Sequence, residues 1–563
     1  MTTFDWMQII CFVVVLVALA PLLGSYLARV FQGERTWASP LLSWLERLIL
    51  RCCGTKPEQD MRWSEYALAL LWFNLFGLVA VFLLQLFQHS LPLNPQNLPG
   101  VSWHCAFNTA ASFVTNTNWQ SYAGEITLSY FTQMVGLTVQ NFVSAATGIT
   151  IMLALARGIM RRQAAAIGNF WVDLVRSVVY VLLPLSVIFT VILISQGVVQ
   201  NLSSYQDVTT LEGVKQTIPM GPAASQIAIK QLGTNGGGFF NANSSHPFEN
   251  PSSITNFLEM LAILLIPAAQ VFTFGFIVKA QRHAWVLFIV MLLFWAGGLG
   301  ISVAGEYTHN ANLGMAPILE GKETRIGVVN SLIWSNSTTD ASNGSVNAMH
   351  SSLSPLAGGV AMFNMHLGEI IFGGVGVGLT GLVIFVILTV FISGLMVGRT
   401  PEYLGKKIEA REMKMVIVAV LVPSALMLVG TGIACVLPAG ISSLSNKGPH
   451  GFSEILYAFT SAGANNGSAF AGLNANTPFY NLILGVVILL ARAAAIFPAL
   501  VIAGSLVAKK FTPISAGTFA TDTPIFGILL IGVIIIVSAL TFFPALVLGP
   551  VVEHLLMLSG RAF

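Results

Sequence analysis

Long apolar runs alternate with polar connections along this chain, regularly enough to predict its elements. Ten runs approach the ~20 residues that cross ~30 Å of hydrocarbon as a helix. They lie near 7–27, 64–88, 129–156, 172–196, 253–280, 284–304, 365–397, 414–437, 480–507 and 525–557. Every second connection is basic. The segment 29–62 carries Arg29, Arg35, Arg47, Arg51, Lys56 and Arg62. The next in this set carry Arg157, Arg161 and Arg162, and then Lys279 and Arg282. The last two carry Arg399, Lys406, Lys407, Arg411 and Lys414, and then Lys509 and Lys510. Basic connections stay on the cytoplasmic side, so this pattern puts both termini outside.

The other connections, roughly 89–128, 197–252, 305–364 and 438–479, are longer and polar, and each contains a similar core. Aligned on a central asparagine, the cores read Thr115-Asn116-Thr117-Asn118, Thr234-Asn235-Gly236-Gly237, Ser342-Asn343-Gly344-Ser345 and Asn465-Asn466-Gly467-Ser468. Asn116, Asn235, Asn343 and Asn466 are 119, 108 and 123 residues apart. A helix, polar loop and second helix recurring at this period is an internal repeat. Repeats of one orientation stack around an axis normal to the membrane. The expected fold is an all-α integral membrane protein with four helix–pore-loop–helix units around a pseudo-four-fold pore and one extra helix at each end. The expected divisions are 1–63 (first helix and basic loop), 64–160, 161–283, 284–412 and 413–510 (pore repeats one to four), and 511–563 (last helix).

Composition sharpens this. Of 563 residues, 55% are hydrophobic and 9% charged, with mean hydropathy +0.78, against about 25% charged in a soluble protein. The net charge of +3 comes from residues between apolar runs and points to no nucleic acid. Cys11, Cys52, Cys53, Cys105 and Cys435 form no CxxC pair, so neither a disulfide framework nor a zinc site follows. The first apolar run has no Lys or Arg before it and no A-x-A cleavage pattern, which reads as a retained helix rather than a signal peptide.

The cores define the candidate chemistry. Backbone outside a helix is tolerated at membrane depth only where protein or a water-filled cavity surrounds it. Four such loops around one axis present a ring of carbonyls, which can replace the water around a dehydrated cation. Gly236, Gly344 and Gly467 can take the conformations that turn successive carbonyls the same way. No acidic residue occurs in any core, and a neutral ring suits a monovalent cation better than Mg²⁺ or Ca²⁺, which seek carboxylates. Gln120 and Asn243 lie in the vicinity. In this alignment Thr117 stands where the other repeats have glycine.

These loops, together with "GRTPEYLGKKIEAREMK" (398–414) and "EIIFGGVGVGL" (369–379), resemble the A-subunit family of the bacterial Kdp potassium-transporting ATPases over essentially the whole chain. The resemblance implies a channel-like subunit that binds potassium and works with a P-type ATPase B subunit, a C subunit and a small F subunit in the inner membrane. It also implies a break in the second helix of the third repeat, near Gly376 and Gly378. Among the charges that fall within apolar runs are Glu369 and Arg492. Charges at such depth are costly and face a cavity or a partner, which places both beside an ion path. Arg399, at the end of a spanning run before Pro401, is the candidate for coupling to the ATPase.

Other signals carry less. Gly376-Val-Gly378-Leu-Thr-Gly381 matches G-x-G-x-x-G but lies in an apolar run without the βαβ context of a dinucleotide site. The chain has neither a P-loop nor the D-K-T-G phosphorylation motif, so no nucleotide is expected on it. The competing readings are a stand-alone potassium symporter or channel of the same repeat group, and an intramembrane enzyme, for which no nucleophile–base pair is visible.

Overall fold

The computed structural model describes residues 1–396, 398, 400–513 and 519–561. Among them, ten helices are long and apolar enough to cross a membrane. In chain order the longer helices are α1 (Thr3–Gln32), α2 (Ser39–Cys52), α3 (Trp63–Leu86), α4 (Trp103–Val114), α5 (Thr132–Met160) and α6 (Phe170–Ser195). Then come α7 (Ala223–Leu232), α8 (Ser253–Val278), α9 (Gln281–Glu306), α10 (Val328–Asp340) and α11 (Pro355–His366). The last are α12 (Val377–Met396), α13 (Ala410–Val436), α14 (Gly448–Ala464), α15 (Pro478–Ala508) and α16 (Pro524–Leu558). Two small antiparallel ribbons complete the fold, pairing Gln206–Thr209 with Lys215–Ile218 and Glu402–Tyr403 with Lys406–Lys407.

Burial sorts the spans into two rings. The second span of each repeat, α5, α8, α12 and α15, is 83, 83, 67 and 61% buried along its most apolar stretch. The first spans, α3, α6, α9 and α13, are 17, 44, 39 and 22% buried. The inner ring surrounds the axis and the outer ring presents apolar side chains outward, as a lipid-embedded bundle requires. Helix starts carry the expected caps: the Thr2 hydroxyl accepts from Asp5 N–H at 3.3 Å, and Gly33 ends α1 in the left-handed region at φ 77°. Small residues allow close packing. A Cβ on Gly24 of α1 would overlap the Ala269 carbonyl of α8, and Thr273 donates to the Gly24 carbonyl at 3.1 Å.

The break expected near Gly376 and Gly378 is present and begins earlier, so the apolar run 365–397 is not one helix. The backbone leaves the helix after His366, and α12 begins only at Val377. Gly368, Glu369, Phe372, Gly373 and Gly376 between them all have positive φ, which a helix excludes. The polar connections are also not loops throughout, because each contains a short helix (α4, α7, α10 or α14) leading into its core. The basic segment 29–62 likewise includes α2, whose Leu42, Leu45 and Ile49 pack on the core while Leu41, Trp44 and Leu48 are exposed.

At the basic end of the bundle a buried ion pair joins three helices. Arg157 of α5 reaches Asp173 of α6 through two bonds of 2.5 and 2.7 Å, and the Tyr66 hydroxyl of α3 lies 3.0 Å from the same carboxylate. Asp173 is 1% exposed. Removing one partner leaves the other charge buried without compensation, a cost of about 3–5 kcal/mol. Asp173→Ala is therefore expected to lower thermal stability of the purified protein strongly, while Asp173→Asn costs less; an unfolding curve unchanged by Asp173→Ala would show that water replaces the pair.

Candidate functional site

The four cores follow one backbone course. A short helix ends, the next residues turn through positive φ, and an N–H bonds back to the fifth residue before it. Thr117 donates to Ser112 O at 2.9 Å, Asn235 to Lys230 O at 2.9 Å, Asn343 to Thr338 O at 3.1 Å and Asn466 to Ser461 O at 2.9 Å. The residue before each donor is left-handed: Asn116 (φ 65°), Thr234 (48°), Ser342 (55°) and Asn465 (61°). So is the residue after it: Asn118 (53°), Gly236 (84°), Gly344 (78°) and Gly467 (103°).

This corrects the register of the first repeat by one residue. Thr117, not Asn116, is the counterpart of Asn235, Asn343 and Asn466. The counterpart of the three glycines is Asn118, not Thr117. Asparagine is among the few side chains that visit the left-handed region readily, so the backbone course survives without glycine.

The cores touch one another in a closed cycle. A Cβ on Gly236 would overlap the carbonyl oxygen of Asn343, one on Gly344 that of Asn466, and one on Gly467 that of Thr117. Three contacts of the cycle thus need glycine for closeness of approach as well as for φ. The fourth uses a side chain: Asn118 Nδ2 donates to Gly236 O at 3.0 Å and to Asn141 Oδ1 at 2.9 Å. Further bonds join neighbours. Asn116 Nδ2 donates to Gly233 O (3.1 Å) and Thr234 O (3.0 Å), Asn343 Nδ2 to Lys230 O (3.1 Å), and Ser342 Oγ to Asn465 O (2.9 Å). Asn466 Nδ2 donates to Thr338 O (2.8 Å) and Asn465 Nδ2 to Thr117 Oγ1 (3.1 Å). Thr115 Oγ1 lies 2.8 Å from Thr117 Oγ1 and stiffens the first quadrant.

On the face of the polar connections the ring opens into a vestibule of about 620 Å³, to which all four repeats contribute. Gln120 stands at its rim, accepting Gly238 N–H at 2.8 Å and donating to Gly238 O at 3.1 Å. Asn243 is a half-buried wall residue that donates to Asn241 O at 3.1 Å. Against the ring lies a further cavity of about 110 Å³, lined by Ser342 and Asn465 of the ring and by Glu369, Gly374 and Arg492. Glu369 is 4% exposed, and its Oε1 has no hydrogen-bond partner. Arg492, 8% exposed, makes no hydrogen bond or ion pair among the described residues. The two charges share the cavity without bonding each other.

The segment 367–376 packs against the second core, α8 and α5. Val375 N–H donates to Thr234 Oγ1 at 2.9 Å, and Gly376 N–H to Gln270 Oε1 of α8 at 2.5 Å. Gly376 lies against the Gly148 carbonyl of α5, and Gly378, in the first turn of α12, lies against Gly373. Arg399 lies outside the described residues.

Residues 10–555 match the family described as KdpA: Potassium-transporting ATPase A subunit. The chain belongs to that family. It is 54% identical over 560 residues to the potassium-transporting ATPase potassium-binding subunit of Pseudomonas aeruginosa, covering 99% of both chains. It is 54% identical over 578 residues to the protein of the same name from Sorangium cellulosum, covering 99% of this chain and all of that one. Among solved structures it resembles the potassium transporter TrkH of Vibrio parahaemolyticus, with a TM-score of 0.52 and 12% identity over 88% of this chain and 98% of that one. That likeness is one of fold.

In this KdpA-family chain the sequence-predicted residues therefore fall into three places. The core residues form the ring, Gln120 and Asn243 border the vestibule, and Glu369, Arg492, Gly376 and Gly378 lie in or beside the cavity and the segment 367–376. The sequence reading set Thr117 against the three glycines and so missed that role for Asn118. Its signal is a pair of turn-tolerant residues two apart, Asn116/Asn118, Thr234/Gly236, Ser342/Gly344 and Asn465/Gly467. The register has a direct check. Asn118→Gly keeps the left-handed turn and is expected to assemble with the smaller loss, about 1 kcal/mol from its two side-chain bonds to Gly236 and Asn141, whereas Gly344→Asn, whose Cβ meets the Asn466 carbonyl, should lose about 1–3 kcal/mol. Thermal unfolding of the two variants separates these outcomes, and equal behaviour would restore the first register.

Proposed function

We propose that this chain is the channel-like potassium-binding subunit of an ATP-driven potassium uptake complex. It selects external K⁺ in the four-segment ring and delivers it through the cavity beneath to a P-type ATPase subunit. The observation that carries the reading is a closed, uncharged ring set directly against a buried cavity that holds one carboxylate and one guanidinium. The names of the Pseudomonas and Sorangium relatives support potassium as the ion. The chain itself is not catalytic; hydrolysis belongs to the B subunit, with the C and small F subunits completing the complex. The protein sits in the bacterial inner membrane among lipid, with the ring, vestibule and termini on the outer side and the basic connections in the cytoplasm. Arg399, in the basic connection of the sequence before Pro401, is assigned to coupling.

The division of labour follows from charge and depth. The ring residues Thr115, Asn116, Thr117, Thr234, Asn235, Gly236, Ser342, Asn343, Gly344, Asn465, Asn466 and Gly467 supply neutral oxygens that replace the hydration of K⁺. A ring that leads to a pump must not leak. Arg492 keeps its proton, and at ~6 Å with an effective dielectric of ~20 it repels an arriving K⁺ by about 3 kcal/mol. The segment 367–376, packed against Thr234, Gln270 and Gly148, is assigned to obstruct the straight path. Glu369 draws the ion sideways, and the turns at Gly376 and Gly378 shape that exit.

Potassium binding and potassium-stimulated ATP hydrolysis by the intact complex test the reading. Gly236→Ser is expected to weaken K⁺ binding and admit Na⁺ or Rb⁺, because the added Cβ displaces the Asn343 carbonyl; unchanged affinity and selectivity would remove the ring from the ion path. The path below has its own test in liposomes. Arg492→Met should assemble and pass K⁺ without ATP, whereas Glu369→Gln should slow coupled uptake without leak. A tight Arg492→Met complex that pumps normally would falsify the barrier role.

A further inference from the structure

Behind the second quadrant of the ring lies a charged pair that the matching positions of the other quadrants do not repeat among the described residues. Lys230 of α7 is 1% exposed and forms an ion pair with Glu249, which is 0% exposed. The ammonium also donates to the carbonyl of Gly237 at 3.0 Å. Gly237 lines the vestibule beside Asn118, Gly344 and Gly467. The other oxygen of Glu249 accepts Phe240 N–H at 2.9 Å. The main-chain carbonyl of Lys230 meanwhile receives Asn235 N–H at 2.9 Å and Asn343 Nδ2 at 3.1 Å. One residue thus holds the segment at its base by its backbone and at its mouth by its side chain.

The matching positions, given by the shared bond to the fifth residue back, are Ser112, Thr338 and Ser461. All are neutral. In the third quadrant the Ser345 carbonyl is held by Thr338 Oγ1 and Trp334 Nε1, each at 2.8 Å. In the fourth the Tyr457 hydroxyl lies 2.8 Å from Ser468 Oγ. Only the second quadrant puts a full positive charge one carbonyl away from the mouth. A buried ammonium there opposes any cation on the axis unless an equally buried carboxylate cancels it. Glu249 occupies that place.

We propose that Lys230 and Glu249 form a selectivity-determining support of the ring: the ammonium fixes the direction of the Gly237 carbonyl, and Glu249 cancels its field at the ion. The inference rests on the potassium reading above. It predicts opposite effects for the two single variants, where a purely structural pair predicts losses from both. Glu249→Gln leaves the ammonium uncompensated and weakens K⁺ binding by about 10- to 100-fold. Lys230→Met removes the opposing charge, so K⁺ affinity stays equal or rises, while discrimination against Na⁺ falls because the Gly237 carbonyl is no longer held. The double variant is expected to return to within about threefold of the original affinity, the non-additivity of a coupled pair.

The experiment is K⁺ binding and K⁺- and Na⁺-stimulated ATP hydrolysis by the intact complex, purified with its co-expressed partners, with elution volume and thermal unfolding as checks on assembly. Unchanged K⁺ affinity in Glu249→Gln overturns the proposal, as does weakened affinity in Lys230→Met without recovery in the double variant. If Glu249→Gln fails to assemble, the sign of the change in Lys230→Met decides alone, and a loss of affinity overturns it. An original complex that binds no K⁺ would instead refute the potassium reading itself, and the pair would then have no ion to tune.

Discussion

Buried backbone must satisfy its own polar groups, and the rest of this structure depends on how the four cores do so. Each core leaves a helix in a protein interior where water is scarce. Each keeps its bonding by returning one N–H to the carbonyl five residues back, with a left-handed residue on either side of the donor. That bond forces a short helix before every core, which is why the polar connections contain α4, α7, α10 and α14. It also determines which face of the core is free to meet its neighbours. The inner ring of spans is the wall this arrangement needs, and its burial follows.

Much of this was legible because hydrocarbon imposes a coarse and strict rule. Apolar length marked all the spans to within a few residues, except where one run mixes a helix with backbone that is not helical. Residues 365–397 are apolar throughout, and hydropathy does not distinguish a lipid-facing helix from a protein-enclosed turn. Conformation does: the glycines at 368, 373 and 376 mark the break. The first register slipped for a related reason. Aligning on asparagine assumes that the side chain identifies the position, whereas the position is defined by φ. Asn116 and Asn118 both tolerate the left-handed region, and the choice between them is made by the bond from Thr117 to Ser112.

Charges were legible in proportion to the contrast around them. Glu369 and Arg492 stand out because their neighbours are apolar, and both line the buried cavity. Lys230 and Glu249 are as deeply buried, yet they sit in stretches with other polar residues, where a charge reads as a solvated surface, and the buried Asp173 lies at the edge of its apolar run, where a charge reads as an end of the span. Their partners are far apart in sequence or lie across turns, and only the folded arrangement joins Arg157 to Asp173 or Lys230 to Glu249.

Three glycines and one asparagine complete the ring. A pore assembled from four identical chains has to repeat every choice four times, so any replacement is felt at once in every quadrant. Here the quadrants are written separately along one polypeptide. A single codon change alters a quarter of the ring and leaves three quarters as before. Such a ring can drift in small steps, accept an asparagine or a lysine on one side, and place its ion off the geometric centre. Tandem duplication within one chain thus turns an all-or-none constraint into a graded one.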